Sequence, residues 1–491
     1  MASAPSLNTP AVSGDSRLRW VLPGFILAEI ATRLLLLVGN SGPLRIVFRF
    51  GVFGSSLALL FLLPWRGRRH PSSGALLWVM IVIGFALLNP QTNTLLSGLA
   101  QAVMYLAILS PAWWVPRLEV DESIMRRTII LLWLFYALSA SFGVLQVYFP
   151  GHFQPPLSPV VQALGAFKAG LKIQLANGKY IYRPMGLTDT PGGAGVAGLW
   201  TILFGLGLTL TAQTKSWLKA VALGSMSVGV LCILLCQIRS VMVMLAIMMV
   251  VLAGTMAWRQ QWMRLARWAM LLVVLLGGSY LWALQVGGSA ITQRLQTLTG
   301  SHGKSQKENL YEVDRGEFLQ DTFSIFMAKY PFGAGLGRWG MMNFYFGTQS
   351  NPNSKPLYSE IQWSSWLFDG GVPLMALYTL AIFLAMAFAL RMSADRRISQ
   401  DLNFWALIVL AYNLACFADC FDYTYFAGES GMMFWFLNGM IFTVWLQSRK
   451  QKTRPQTPAG SSLFWPQTWQ GWLPRPLNPP PSAPADSVTH V

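Results

Sequence analysis

Apolar runs of about 20 residues, each long enough to cross a bilayer as a helix, recur from Trp20 to Leu446. No other feature constrains this chain as strongly. In hydrocarbon every backbone N–H and C=O must be satisfied within the segment, so a lipid-embedded run of this kind is helical. Taken in order, the runs predict spans near 20–38, 44–65, 74–89, 94–115, 128–149, 192–212, 217–237, 239–257, 267–286, 361–390, 402–418 and 429–446. The expected fold class is an all-α polytopic membrane protein with about 12 transmembrane helices and two long loops, about 150–190 and 287–359. Composition agrees. Of 491 residues, 54% are hydrophobic and 11% charged, against about 25% charged in soluble domains. Residues 1–19 lack the pattern of a cleaved signal peptide, so the first run is expected to remain as a span.

The charges sort by connection. Arg66, Arg68 and Arg69, then Arg117, Arg126 and Arg127, then Lys215 and Lys219 occupy alternate connections. The series continues with Arg259, Arg264 and Arg267, and with Arg391, Arg396 and Arg397, while Arg449, Lys450, Lys452 and Arg454 follow the last run. The connections 39–43, 90–93 and 419–428 carry no Lys or Arg. Such alternation places both termini in the cytoplasm and the two long loops on the outer face. The net charge of +17 is accounted for in this way, and with no aromatic-interleaved basic patch it does not indicate nucleic acid. The chain divides into a polar N-terminus 1–19, a membrane domain 20–446 and a Pro-rich tail 447–491. The tail composition is expected to be disordered, with Trp465, Trp469 and Trp472 able to rest on a membrane surface.

Ionisable groups inside a membrane are costly, and are paired or functional. Glu29 and Arg33 stand at i and i+4 in the first run and are expected to neutralise one another. Arg45 and Arg49 lie near one end of the second and are expected to snorkel to headgroups or lipid phosphates. Cys232 with Cys236, and Cys416 with Cys420, also share i, i+4 spacing. Without a metal-binding spacing such as CxxC or HExxH, they read as small apolar filler.

Three places on the outer side hold candidate chemistry. YRPMGLTDTPGGAG, 182–195, sets Arg183 at the mouth of an apolar run, with Asp189 and Thr190 before Pro191 as a helix N-terminal signal. It reads either as an anion site at a helix N-terminus or as an ordinary capped helix with small-residue packing. Arg239, between two runs and against the positive-inside trend, reads as facing either headgroups or a bound anion. The third place is the 287–359 loop and its exit. Glu308, Glu312, Asp314, Arg315, Glu317 and Asp321 lie along an expected amphipathic helix 309–329. PFGAGLGRWG follows, with Gly335, Gly337 and Arg338, but no βαβ unit supports a dinucleotide loop. Glu360 then opens a span as a general-base candidate or a helix N-terminal charge, and Asp369 lies nine residues on.

Taken together, Arg183–Gly186, Arg239–Ser240, Pro331–Gly337 and Asp369–Gly371, in that order, resemble the O-antigen ligase and polymerase superfamily of bacterial envelope proteins. The resemblance covers roughly 180–375 and the twelve-span plan. It implies a GT-C-like, metal-independent glycosyltransferase of the bacterial inner membrane, with no cofactor. The implied substrate is a polyprenyl-pyrophosphate-linked glycan, and flippases and copolymerase or export proteins are implied partners. It further implies that Arg183 and Arg239, with Arg315 and Arg338, contact the donor pyrophosphate, and that Asp189, Asp369, Gly335 and Gly337 support the site. Ligases of the family place a His nine residues before the acidic residue. Here Glu360 stands at that position, which favours a polymerase of exopolysaccharide or O-antigen repeat units over a ligase.

Chemistry argues in the same direction. Displacing a pyrophosphate from an anomeric carbon by a sugar hydroxyl needs fixed cations for the leaving group and a base for the hydroxyl. A transporter of lipid-linked glycan and a scaffold of an export complex are the competing classes. Related halves, frequent in transporters, are not evident between 20–237 and 239–446.

Overall fold

A computed structural model describes residues 16–38, 44–157, 171–289, 291–292, 315–351 and 354–453. The chain divides into two compact units after Arg449, and residues 450–453 of the second are helical. The tail beyond 453, the connection 39–43 and the first part of the expected 309–329 helix lie outside the described residues.

Every apolar run is helical. The helices are α1 Val21–Leu36, α2 Leu44–Leu62, α3 Ser73–Ala86, α4 Leu95–Leu109, α5 Glu122–Tyr148 and α6 Gly193–Leu210. They continue as α7 Ser216–Cys236, α8 Arg239–Trp258, α9 Trp262–Gly287, α10 Gln362–Ala394, α11 Gln400–Asp419 and α12 Glu429–Thr453. Among the described residues, nine helices are long and apolar enough to cross a membrane. The protein is an all-α polytopic membrane protein. The exception to helix is a small antiparallel hairpin, Lys172–Gln174 paired with Tyr180–Tyr182, in the first long loop. Its loop is Ala176–Gly178, in which Gly178 N donates to the Leu175 carbonyl at 2.9 Å and Gly178 takes the left-handed φ of 78° that a three-residue hairpin loop uses.

Polar residues start and tie the helices. Thr94 caps α4 in a reciprocal box with Ser97, Asp121 caps α5, and Ser399 caps α11, each supplying an acceptor to N–H groups that lack one. Where α6 meets α7, Gly198 and Gly229 face each other. A Cβ at Gly198 would meet the Gly229 carbonyl at 2.6 Å, so the backbones approach as close as small-residue interfaces in lipid permit. Between α11 and α12, Asn413 and Asn438 exchange amide hydrogen bonds of 2.8 and 3.0 Å, fully buried.

Hydrogen bonds between connections sort them into two ends of the bundle. At one end Arg66 pairs with Glu119, Arg117 donates to the Leu60 and Leu63 carbonyls, Arg126 donates to Gln213, Asp401 accepts from Ala212 N and Ser399 donates to Glu122. This is the basic end. At the other, Asn89 donates to the Gly333 carbonyl, Ala176 N to the Val286 carbonyl and Gln362 N to the Cys420 carbonyl. The segments 171–192, 315–361 and 420–428 therefore share this loop end with the 87–94 connection.

Candidate functional site

The segment from Arg183 to Gly192 does not cap a helix on the surface. It folds back into the bundle beside α5. Gln146 accepts from Met185 N (2.7 Å) and Gly186 N (2.9 Å) and donates to the Gly186 carbonyl. Two helical turns away along the same face, Ser139 Oγ accepts from Leu187 N at 3.0 Å. Irregular backbone at this depth survives only where protein satisfies its polar groups, and these two side chains do so. Gly186, at φ 65°, is required here, since a Cβ would strike the Ser139 hydroxyl and carbonyl.

α6 then begins at Gly193, after Gly192 at φ 90° and with no side-chain cap. The expected helix N-terminal role of Asp189 is corrected by this geometry. Asp189 is buried and accepts from Arg45 at 2.7 Å and from Arg49, both from α2. The expectation that these arginines snorkel is corrected too: they turn inward because a buried carboxylate faces them, and charge inside a bundle seeks a partner. Glu29 and Arg33 do pair, at 2.7 Å, as their spacing predicts, but the same Nη2 also reaches Glu429 on α12 at 2.8 Å.

The returning loop packs Gly192 on Ile238 and brings Arg183 within electrostatic range of Arg239 at the start of α8. Neither guanidinium has a carboxylate partner among the described residues. Burial holds Arg183 below its ordinary value and the neighbouring Arg239 adds to that shift, while Cys236 opposes it. The Arg183 Nε is buried without an acceptor. Two like charges side by side are unfavourable, and a bound anion removes the cost.

Glu360 lies two residues before α10, whose start is fixed by Gln362 accepting from Phe426 N at 2.6 Å. Its carboxylate pairs with Arg315 and accepts from the Tyr358 hydroxyl. Arg315 also reaches Asp422 at 3.6 Å. Residues 315–329 are helical as expected, with a π-helical turn Thr322–Phe326, an irregularity frequent at functional sites. A ladder of charged groups joins the parts: Arg315 to Asp422, Asp422 near Asp419, Asp419 and Arg49 near Tyr423, and Arg49 to Asp189.

The glycine-rich stretch serves a different end. α10 is interrupted at Gly371 (φ 69°, ψ −160°), and Pro331–Trp339 docks into the break: Val372 N donates to the Pro331 carbonyl (2.9 Å) and Ala334 N to the Phe368 carbonyl (2.7 Å). Asp369, fully buried, accepts from Trp339 Nε1 (2.9 Å), Tyr105 OH (2.7 Å) and Gln101 Nε2 (3.1 Å). Gly335, at φ 95°, packs on the Gln91–Thr92 peptide, and Gly337 on Ser97. Arg338 donates to the Lys355 and Ala334 carbonyls at 2.8 Å each, so its donors brace the loop rather than face outward. Gly335→Ala adds a Cβ 2.5 Å from the Gln91–Thr92 peptide at a left-handed φ. Strain and overpacking together are expected to cost about 2–4 kcal/mol, read as a lower midpoint in thermal unfolding of the purified protein. An unchanged midpoint would mean that the loop is not docked this way.

Residues that sequence reasoning passed over complete the scaffold. Asn93 holds the exit of the large loop through Thr348 and Ser354, and Gln146, Gln101 and Tyr105 anchor the two docked segments. For Gln101, Tyr105 and Gln146 the available signal was an amide or hydroxyl inside an otherwise apolar helix, which lipid penalises unless it has a partner. No model of a known protein family matches the chain, and no curated protein matches it.

Proposed function

We propose that the protein is a glycosyltransferase of the bacterial inner membrane that polymerises polyprenyl-pyrophosphate-linked repeat units into exopolysaccharide or O-antigen. The observation that carries this reading is that the re-entrant loop packs Gly192 on Ile238 and so brings half-buried Arg183 within electrostatic range of half-buried Arg239, with no carboxylate paired to either among the described residues. Two guanidinium forks suit a pyrophosphate leaving group through bidentate contacts. In this reading twelve helices span, the basic end faces the cytoplasm with both termini, and the loop end is periplasmic.

Glu360 is the base that takes the acceptor hydroxyl proton, and the reaction is a single displacement with inversion at the anomeric carbon. A carboxylate held by a guanidinium is a weak base, so Arg315 must move aside. Asp422 is its alternative partner, already 3.6 Å away. Arg338, Asp369, Gly335 and Gly337 act as positioning residues: they fix the loop that runs from the large outer segment into α10. Among the described residues α10 alone is interrupted, whereas a transporter plan expects paired broken helices.

The test is a purified-protein assay with a fluorescent polyprenyl-pyrophosphate oligosaccharide, read as a product ladder. Glu360→Gln is expected to cut chain growth about 10²–10⁴-fold, the range of a lost general base, with the protein still in the membrane. A normal ladder from that variant ends the base assignment. A single shifted band from wild type indicates a one-step ligase, and glycan movement across vesicles without product indicates a transporter.

A further inference from the structure

Arg45 and Arg49 are arranged in a way that a simple ion pair does not require. Both Nη2 atoms end on the same oxygen of Asp189, while the other oxygen has only the Thr190 hydroxyl at 3.5 Å. Among the described residues no other carboxylate pairs with either arginine. Two positive charges thus face one negative charge in a buried cluster, with Asp189 4% and Arg45 9% exposed. The Nε of each arginine is also buried without an acceptor. The cluster holds unused charge and two unused donors, and buried donors are ordinarily satisfied.

The Asp189 carboxylate leaves this arrangement incomplete, because one of its oxygens serves both forks and neither Nε has an acceptor. A phosphate presents a tetrahedral set of oxygens and can accept from Nη2 and Nε of both guanidiniums at once. The approach is open on the side of Thr190, which is exposed, and of Tyr423, which is 57% exposed and within electrostatic reach of Arg49. Among the described residues, the charged and titratable groups facing the cluster are Asp189 from the re-entrant loop and Tyr423 from the α11–α12 connection, with Asp419 at the end of α11 behind Tyr423.

We propose that Arg45 and Arg49 form a second phosphate site, of the diphosphate class, in which Asp189 is a built-in occupant that the incoming ligand displaces. The inference rests on the polymerase reading for its biological ligand. Chain growth joins two carrier-linked glycans. Arg183 and Arg239 take the pyrophosphate that leaves, and Arg45 and Arg49 take the pyrophosphate of the other carrier. Arg183 and Asp189 belong to one loop, so displacement of Asp189 is felt at the first pair.

The experiment is calorimetric titration of the purified full-length protein with inorganic pyrophosphate. Wild type is expected to bind two equivalents, one lost in Arg183→Gln with Arg239→Gln and the other lost in Arg45→Gln with Arg49→Gln. Because the second double variant strands the Asp189 charge and can fail to fold, the triple variant that adds Asp189→Asn is measured beside it. Asp189→Asn alone is expected to tighten the second equivalent about tenfold, the size of one recovered charge-assisted hydrogen bond, whereas a structural ion pair gains no ligand affinity when it is broken. One equivalent in wild type, with unchanged stoichiometry and affinity in Asp189→Asn, overturns the site. Repeating the titration in nanodiscs with phosphatidylglycerol separates the sources. Loss of the second equivalent there identifies a lipid headgroup as occupant and removes the carrier assignment, while its persistence supports a carrier pyrophosphate. Two equivalents without polymer would leave this site standing and the polymerase reading refuted, and a ladder with one equivalent would do the reverse.

Discussion

Arg239→Ala is expected to reduce glycan transfer about 10²–10³-fold, the loss found when one preorganised donor to a developing anion is removed, without lowering thermal stability. The second half of that statement is the diagnostic one. Arg239 has no carboxylate partner among the described residues and stands beside a second guanidinium, Arg183. Its removal therefore relieves a like-charge contact instead of breaking an ion pair, and Tm should hold or rise. Arg239→Lys keeps the charge but loses the planar fork, so it should restore only part of the rate. Gel-resolved transfer and thermal unfolding on the same preparations check both halves. A variant that loses stability and activity together would make Arg239 a structural residue, and near-normal transfer would remove it from the site.

Asp369→Ala is expected to have the largest effect on stability, about 3–6 kcal/mol. Three buried donors, Trp339 Nε1, Tyr105 OH and Gln101 Nε2, end on this one carboxylate, and each buried donor left without an acceptor costs about 1–3 kcal/mol. The loss is local in origin but wide in consequence, because Trp339 closes the loop that docks into the break of α10. Asp369→Asn keeps one acceptor oxygen and offers its amide to the Tyr105 oxygen, so it should cost about 1–2 kcal/mol. Denaturant or thermal unfolding of the two variants gives the comparison. Equal losses in both would mean that the carboxylate is not held by these three donors.

The two effects separate Asp369, on which three buried donors end, from Arg239, which has no carboxylate partner among the described residues. Asp369, Gln146 and Asn93 are each satisfied by several partners. Arg183, Arg239, Arg45 and Arg49 have surplus charge or unused donors at the loop end. Arg183 and Arg239, which have no carboxylate partner among the described residues, are therefore the arginines whose loss should cost ligand more than fold, whereas loss of Arg45 and Arg49 strands the buried Asp189 charge.

The sequence by itself determined the helices. A run of apolar residues in lipid has one way to satisfy its own backbone, and that information is local, so every predicted run proved helical. It also determined the Glu29–Arg33 pair, whose i, i+4 spacing brings the side chains together whatever surrounds them. Tertiary structure alone decided the rest. Asp189 carries a helix-start signal in its local sequence, yet its partners lie 144 and 140 positions away on α2. The PFGAGLGRWG glycines show a need for close approach but not what approaches, and the answer is the Gln91–Thr92 peptide and the broken turn of α10. Nor could spacing reveal that Arg183 and Arg239 stand together, because that depends on a loop returning into the bundle on the side chains of Ser139 and Gln146. Backbone satisfaction is settled within a dozen neighbouring residues, whereas charge is settled by whichever groups packing brings into range, and sequence separation has no bearing on that range.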